Sequence, residues 1–427
     1  MKGLESEKSP GKEITVLKDR LSHIAREEGV EEKNLLTSLA SGQIAVFKPP
    51  PNGKAFAVGN NLRVKVNANI GTSGDLADED LELRKLEAAL KAGADAVMDL
   101  STGGNLRSVR RKVVEASSVP VGSVPIYEAI VGAVRKRGAG DKMQPEEMLD
   151  AIRLHGEDGI SFVTVHCGVT LAALARLEQK PRVCGIVSRG GSFLARWMRI
   201  NKKENPLFER YDEVLEICKE YEMVISLGDG LRPGAIADSL DQAQVDEVVT
   251  LGQLFRRARE KGVQAIIEGP GHVPLDQIPT QIMLQKKLCD DAPFYVLGPL
   301  VTDVAPGMDH ITSAIGGAVA AMHGADFLCY VTPSEHLGLP DVEDVRIGVL
   351  AARVAGHAAD LVRGRPEAWQ WDKDMSKARK DRKWDEQIRL ALDPDLAREI
   401  RARTCGEDHE TCTMCGDLCA YKADSPA

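Results

Sequence analysis

The chain has 427 residues, room for two or three small domains or for one large barrel with appendages at roughly 150 residues per domain. Lys plus Arg number 55 and Asp plus Glu 64, and the net charge of −9 argues against a general nucleic-acid binder, which shows a basic excess on one face. No apolar run reaches the ~18 residues of a membrane span, and the charged opening stretch MKGLESEKSPGKEITVLKDR lacks the apolar core of a secretory signal, so neither nucleic acid nor membrane is expected as a partner and a cytoplasmic location is.

Taken in chain order, residues 12–41 predict two short helices, with Leu17, Leu21, Ile24 and Ala25 at helical spacing. The breaker Lys48-Pro-Pro-Pro-Asn-Gly53 marks a boundary, so residues 1–58 are read as a helical lead-in. Over residues 59–340 a short apolar run ends in a polar or glycine-rich turn, and an amphipathic helix usually follows. The runs are VKVNANIG, ADAVMDLS, VPVGSVPIY, SFVTVHCG, VCGIVSRGG, MVISLGDG, VQAIIEGPGH, FYVLGPL and ADFLCYVTP. Strand alternating with helix predicts a parallel sheet. The nine runs are one more than a (β/α)₈ barrel requires. The barrel is preferred to a doubly wound sheet because Asn69, Asp99, Tyr127, His166, Ser188, Asp229, Glu268 and His336 close the runs. In a barrel those strand ends share one mouth, whereas in an open sheet the strand order divides them. Residues 341–402 are read as C-terminal helices, one over 343–363 and one near 385–402, with Trp369, Trp371 and Trp384 between and beside them. Residues 403–427 form a cysteine-bearing tail.

Five of the nine cysteines sit singly in apolar runs and read as small buried hydrophobes; an odd count without a signal argues against a disulfide framework. The tail is different. Cys412, Cys415 and Cys419 fit either a zinc site completed by Cys405 or His409, or a three-cysteine iron–sulfur cluster with one iron open to a small molecule. Glu268-Gly-Pro-Gly-His272 and Ser334-Glu-His336 each place a histidine just past a strand. Two imidazoles converging at a barrel mouth can hold a transition metal with open positions, and the glycines flanking Pro270 would permit unusual backbone angles there; otherwise the histidines are hydrogen-bonded wall residues. Ser188-Arg-Gly-Gly-Ser192 and Thr312-Ser-Ala-Ile-Gly-Gly317 read as helix starts able to cradle an anion, or as plain turns. Asp229-Gly-Leu-Arg232 places an acid and a guanidinium one turn apart, for a polar ligand or for a surface ion pair of little value.

Together VNANIGTS, MDLSTGG, VPIY, SRGGS, SLGDGLRPG, EGPGHVPL, APFYVLGPL, DHITSAIGG, ADFLCYVTPSEH and the CTMCGDLC tail resemble the phosphomethylpyrimidine synthase family of thiamin biosynthesis, from about Gly59 to Cys419, in a short form without an extra N-terminal domain. The resemblance implies a radical S-adenosylmethionine lyase acting on 5-aminoimidazole ribonucleotide. It implies Asn69, Met98, Tyr127, His166, Ser188, Arg189, Gly190, Asp229, Gly230, Leu231, Arg232, Glu268 and Tyr295 around the nucleotide, with Glu268, His166 and Asp229 steering protons. It implies His272 and His336 on a divalent zinc or iron ion, and Cys412, Cys415 and Cys419 on an oxygen-labile 4Fe-4S cluster. It further implies S-adenosylmethionine as cosubstrate, a low-potential electron donor, and a homodimer in which tails exchange.

Three positions depart from the family pattern. The third cluster cysteine follows after three residues where long members have four. Met308 stands where Tyr is expected, and Cys167 where Ala is expected; both are read as strand-end residues facing the mouth, able to redirect ring closure and so counted with the catalytic set. On those two positions the chain is read as the 5-hydroxybenzimidazole synthase paralogue of cobamide biosynthesis, which takes the same nucleotide and releases methionine, 5′-deoxyadenosine and formate. The alternative is the pyrimidine synthase itself. An alternative of another class is a metal-dependent barrel hydrolase or aldolase with a zinc tail.

Overall fold

The computed structural model describes residues 10–404 and 410–423, which fall into two compact units divided after Gly356. Cys405 and His409, the residues that would complete a tail zinc site, lie outside the described residues.

In the first unit the two expected helices span Pro10–Glu28 and Glu32–Ala40. The proline-rich stretch is not a boundary but the loop of a hairpin that the sequence reading did not anticipate. Strand β1 (Ile44–Phe47) pairs antiparallel with β2 (Phe56–Gly59), Phe47 opposite Phe56. Eight parallel strands then close a barrel: β3 (Lys65–Ile70), β4 (Ala96–Asp99), β5 (Val121–Ser123), β6 (Phe162–Val165), β7 (Val224–Leu227), β8 (Ala265–Gly269), β9 (Phe294–Leu297) and β10 (Phe327–Cys329). Each pairs with its neighbour in sequence, and β10 returns to β3. The strands are short, rich in Val, Ile and Phe, and buried on both faces, as a sheet wrapped by helices requires. The helices begin on side-chain caps: Asp78, Asn105, Thr170 and Asp241 each accept a backbone N–H at the first turn.

The run VCGIVSRGG is the surplus one and forms no strand. Gly185 takes a left-handed φ of +65°, Val183 is exposed, and Ser188 caps the helix Arg189–Asn201. In VPVGSVPIY only Val121–Ser123 is extended; Pro125 opens a helix, which puts Tyr127 in a helical first turn rather than at a strand end. Thr312–Gly317 is not a helix start either, since that helix begins at Asp309. A side chain at Gly316 would meet the Pro299 carbonyl at 1.9 Å, so this glycine admits the β9 loop.

The strands' N-terminal end is plugged. Phe47 lies 4.8 Å from Phe56, 5.2 Å from Phe162 and 6.4 Å from Phe327, ring centre to ring centre. Beside them Lys65, at the start of β3, is buried against Glu28. With the barrel's interior closed at that end, the cavity inside the barrel opens at the opposite, C-terminal end.

The helix expected over 343–363 spans Val342–Val362. In the second unit Trp369 and Trp371 lie on the helix Pro366–Lys380, and the helix expected near 385–402 is two, Trp384–Leu390 and Pro394–Thr404, parted before Pro394.

Candidate active site

At the C-terminal mouth a cavity of about 490 Å³, counting its open entrance, is walled by Asn69, Met98, Tyr127, His166, Asp229, Arg232, Glu268 and Tyr295 together with Val124, Thr164, Cys329 and neighbouring residues. The remaining five residues implied for the nucleotide frame this wall. Arg189 stacks over the Tyr127 ring at 5.1 Å and lines an adjoining lobe that shares Asn69 and Leu100 with the cavity. Ser188 Oγ accepts the Gly191 N–H. A side chain at Gly190 would meet the His166 ring at 2.3 Å, and Gly191 lies against the Gly230 backbone, so these glycines let the turns close around the imidazole. Leu231 is fully buried behind the turn that carries Asp229 and Arg232.

Glu268 is held by two hydroxyls from neighbouring strands. Thr164 Oγ1 and Ser226 Oγ both donate to its Oε1, at 2.6 and 2.7 Å, and the strands bring these donors together because Thr164 is paired with Ser226 in register. Tyr295 accepts from Asn67 Nδ2 at 2.8 Å, and Asn69 Nδ2 lies 3.0 Å from Cys329 Sγ. Arg232 Nη1 donates to Asp229 Oδ1 at 3.0 Å.

Burial dominates the electrostatics. It raises the Glu268 carboxyl above its ordinary range, against the hydroxyl bonds and Arg232. It pushes Asp229 up to about 8, with Arg232 opposing and Glu268 adding to the rise. It brings His166 down to about 3, with Arg232 repelling the imidazolium. At neutral pH the wall therefore presents a largely protonated Asp229 beside a fixed guanidinium and a neutral imidazole. Asp229 Oδ2 and His166 Nδ1 are buried without a protein partner. Such groups can exchange protons with, and hydrogen-bond to, a polar heterocycle.

Cys167 and Met308 do not take the positions expected of them. Cys167 is completely buried but turned away from the cavity, toward Cys218 and Tyr211 in the helix layer; burial, with Cys218 nearby, pushes its thiol up. His166 faces inward, and just past β6 the Cys167 N–H closes a tight turn onto the Val165 carbonyl at 3.0 Å. Met308 is 59% exposed, immediately before the helix Asp309–Met322 and well past the end of β9. Neither lines the cavity.

His272 and His336 do converge, with ring centres 5.4 Å apart. Each Nδ1 faces a carboxylate that the sequence reading missed: His272 lies 2.8 Å from Asp303 Oδ1 and His336 3.2 Å from Asp309 Oδ1. A carboxylate on Nδ1 fixes the tautomer and leaves Nε2 as a ligand, the arrangement around metal-bound histidines. This donor set fits one divalent ion for which the protein supplies two ligands, since among the described residues no three His, Cys, Asp or Glu side chains group to hold a metal. The glycines beside Pro270 have no left-handed φ. Gly269 instead leaves room for the Phe294 ring, 2.3 Å from where its Cβ would stand.

In the second unit Cys412, Cys415 and Cys419 are free thiols; Cys415 and Cys419 flank a short turn, Gly416–Leu418, whose Gly416 takes φ +51°, and Cys412 precedes it. The segment is tied at both ends: Trp384 Nε1 donates to the Glu410 carbonyl at 2.9 Å, and Arg382 Nη1 to the Tyr421 carbonyl at 3.0 Å. Three thiols so close in sequence are the donor set of a three-cysteine iron–sulfur cluster, though among the described residues their side chains do not stand grouped as a formed metal site.

Thr164 had a readable signal, lying two residues before His166 on the same strand face. Asp303, Asp309 and Ser226 had none, because their roles arise only through space.

A family model for the radical SAM ThiC family matches residues 12–425. The phosphomethylpyrimidine synthase of Moorella thermoacetica is 55% identical over 404 residues, 94% of each chain. That of Geobacter metallireducens is 52% identical over 410 residues, 95% of this chain and 94% of that one, and that of Methanopyrus kandleri 52% over 407 residues, 95% of each. Among solved structures, a Coxiella burnetii dihydropteroate synthase superimposes with a TM-score of 0.42 at 12% identity over 70% of this chain and 94% of that one.

Proposed function

We propose, from the premise that this chain belongs to the radical SAM ThiC family, that it is a phosphomethylpyrimidine synthase, converting 5-aminoimidazole ribonucleotide to the phosphorylated hydroxymethylpyrimidine of thiamin. Membership makes it an enzyme of the radical SAM class and sets aside the hydrolase or aldolase reading. The observation that carries the proposal is the convergence of Asn69, Met98, Tyr127, His166, Asp229, Arg232, Glu268 and Tyr295 on one cavity at the barrel mouth. The benzimidazole reading rested on Cys167 and Met308. With one turned into the helix layer and the other exposed outside the cavity, that reading loses its support, and the relatives favour the pyrimidine product.

In this reading the chain's residues bind, orient and move protons. The Arg232 and Arg189 side chains and the backbone N–H groups of Arg189 and Gly190 hold the phosphate, the last two at a helix start where anions are favoured. Glu268, its Oε1 fixed by Thr164 and Ser226, hydrogen-bonds the amino-imidazole. Protonated Asp229 and neutral His166 give and take protons as the ribose is dismantled. His272 and His336, aimed by Asp303 and Asp309, hold the divalent ion, and Cys412, Cys415 and Cys419 hold the cluster. With S-adenosylmethionine and an external low-potential donor, that cluster supplies hydrogen abstraction from the ribose.

The test is mass analysis of products from the ribonucleotide under anaerobic, reducing conditions. A phosphorylated hydroxymethylpyrimidine is expected; 5-hydroxybenzimidazole with free phosphate would overturn the reading. The expectation that tails exchange in a homodimer is tested by mixing Cys412→Ala and Glu268→Ala chains, each inactive alone. Activity should return after subunit exchange, and its absence would assign each tail to its own barrel.

A further inference from the structure

We propose that Glu247, on the outer helix Gln242–Glu260, is a positioning residue that fixes the Asp229–Arg232 turn and so aims both of its ionisable side chains into the cavity. The proposal deepens the reading of the mouth as a ribonucleotide site and rests on it.

Glu247 belongs to none of the strand-end motifs and touches no cavity, yet its carboxyl is 1% exposed and reaches inward between two loops. Its Oε2 accepts the Leu231 N–H at 2.8 Å. The other side of that residue is held as well, because Arg182 donates to the Leu231 carbonyl at 2.7 Å and to the Arg232 carbonyl at 3.2 Å. Arg182 is itself fixed by a fork onto Asp241 at 2.7 Å. Leu231 is thus gripped at its N–H and its carbonyl, between Asp229 and Arg232. The loop after His166 closes on the same carboxyl. A side chain at Gly168 would come within 3.0 Å of Glu247 Cγ and 2.6 Å of Leu251, and one at Gly230 within 3.4 Å of Glu247 Oε1.

A residue needed only for packing would be apolar here. A carboxyl so deeply buried costs stability, and its Oε1 has no partner at all. Burial, with Asp229 nearby, raises this carboxyl well above its ordinary range, and the Leu231 N–H asks only for an acceptor at this reach. Glutamine, with the same length and the same acceptor, is therefore the faithful substitute. Leucine keeps the bulk and loses the acceptor, and aspartate keeps the carboxyl but withdraws it by one methylene.

The test uses full-length, cluster-loaded protein. Without ligand, amide exchange over residues 228–233 read by mass spectrometry should be about tenfold faster in Glu247→Leu and in Glu247→Asp, the effect of losing one buried hydrogen bond, and within about twofold of wild type in Glu247→Gln. Calorimetric binding of 5-aminoimidazole ribonucleotide should weaken by about the same factor in Leu and Asp and recover in Gln, with iron per chain unchanged in all three. Exchange over 228–233 that does not move in the Asp and Leu variants, or in the Asp variant alone if Leu does not fold, overturns the proposal. A wild type that binds no ribonucleotide sinks the functional reading instead and leaves the exchange result to decide this one.

Discussion

The two ends of the barrel are made by the same eight strands and differ in how their buried ionisable groups are met. At the N-terminal end charges are paired: buried Lys65 with Glu28, Lys286 with buried Asp326 at 2.6 Å, and exposed Arg63 with Asp95, around the packed rings of Phe47, Phe56, Phe162 and Phe327. At the C-terminal end Asp229 Oδ2, His166 Nδ1 and Asn67 Oδ1 are buried without protein partners, and a raised carboxyl sits beside a neutral histidine. Buried polar atoms are nearly always satisfied, so an end that leaves them open is built to be completed by something else. One end supplies stability, and the other spends some of it to hold groups ready for a ligand.

The strongest attack on that contrast is at the mouth. Glu268→Gln should cut turnover by about 10²–10⁴-fold while the thermal midpoint stays level or rises, because a buried acid is removed. A variant that retains turnover would take Glu268 out of the chemistry. At the other end Glu28→Ala strands Lys65 and should cost about 3–5 kcal/mol in denaturant unfolding, with KM unchanged in the folded fraction. A loss under about 1 kcal/mol would mean that water or another group already satisfies Lys65. A smaller effect is expected at the rim. Asp303→Ala should weaken binding of the His-site metal about 10–100-fold, read by metal titration, with stability nearly unmoved. Unchanged affinity would make that carboxylate incidental.

The finest discriminator is pH, because the ends should slope in opposite directions. Folding raises Asp229 from an unfolded value near 4 to about 8. Between those limits the folded chain keeps a proton that the unfolded chain has released, so stability falls as pH rises. Burial lowers Lys65 from 10.5 to about 8. Between those limits the unfolded chain holds the extra proton, so stability climbs as pH rises. Asp229→Asn should flatten the fall from about pH 4 to 8, and Lys65→Met the climb above about pH 8, in denaturant midpoints taken across the range. An Asp229→Asn chain that keeps the full fall, or a Lys65→Met chain that keeps the full climb, would refute the contrast.

Much of this barrel was readable because its signal is local: an apolar run, a polar closing residue, a helical period. The errors arose where local pattern and three-dimensional context part. VCGIVSRGG has strand composition, but a left-handed glycine and a capping serine prevail. Proline after Val124 turned an apparent strand into a helix start. The hairpin at Ile44–Gly59 was hidden by its own loop, whose prolines read as a border. Cys167 follows the inward His166 in a tight turn beyond β6, and that turn, not a strand-end position, sets its direction. Glu247, Ser226 and Asp303 carry no local mark, because each matters through one bond to a residue distant in sequence.

The aromatic plug also orders events in time. Phe47 lies in the hairpin that precedes the barrel, and one of its ring partners, Phe327, opens the last strand to be made. The hairpin can form early, but its rings find their full packing only when β10 has arrived beside β3. Closure between such distant segments is slow relative to local folding. The plug is therefore a latch set by the last strand, and in pulse-labelled refolding the β1–β2 amides should gain full protection in the same phase as β10. Full protection of β1 and β2 ahead of β10 would show the latch to be set without it.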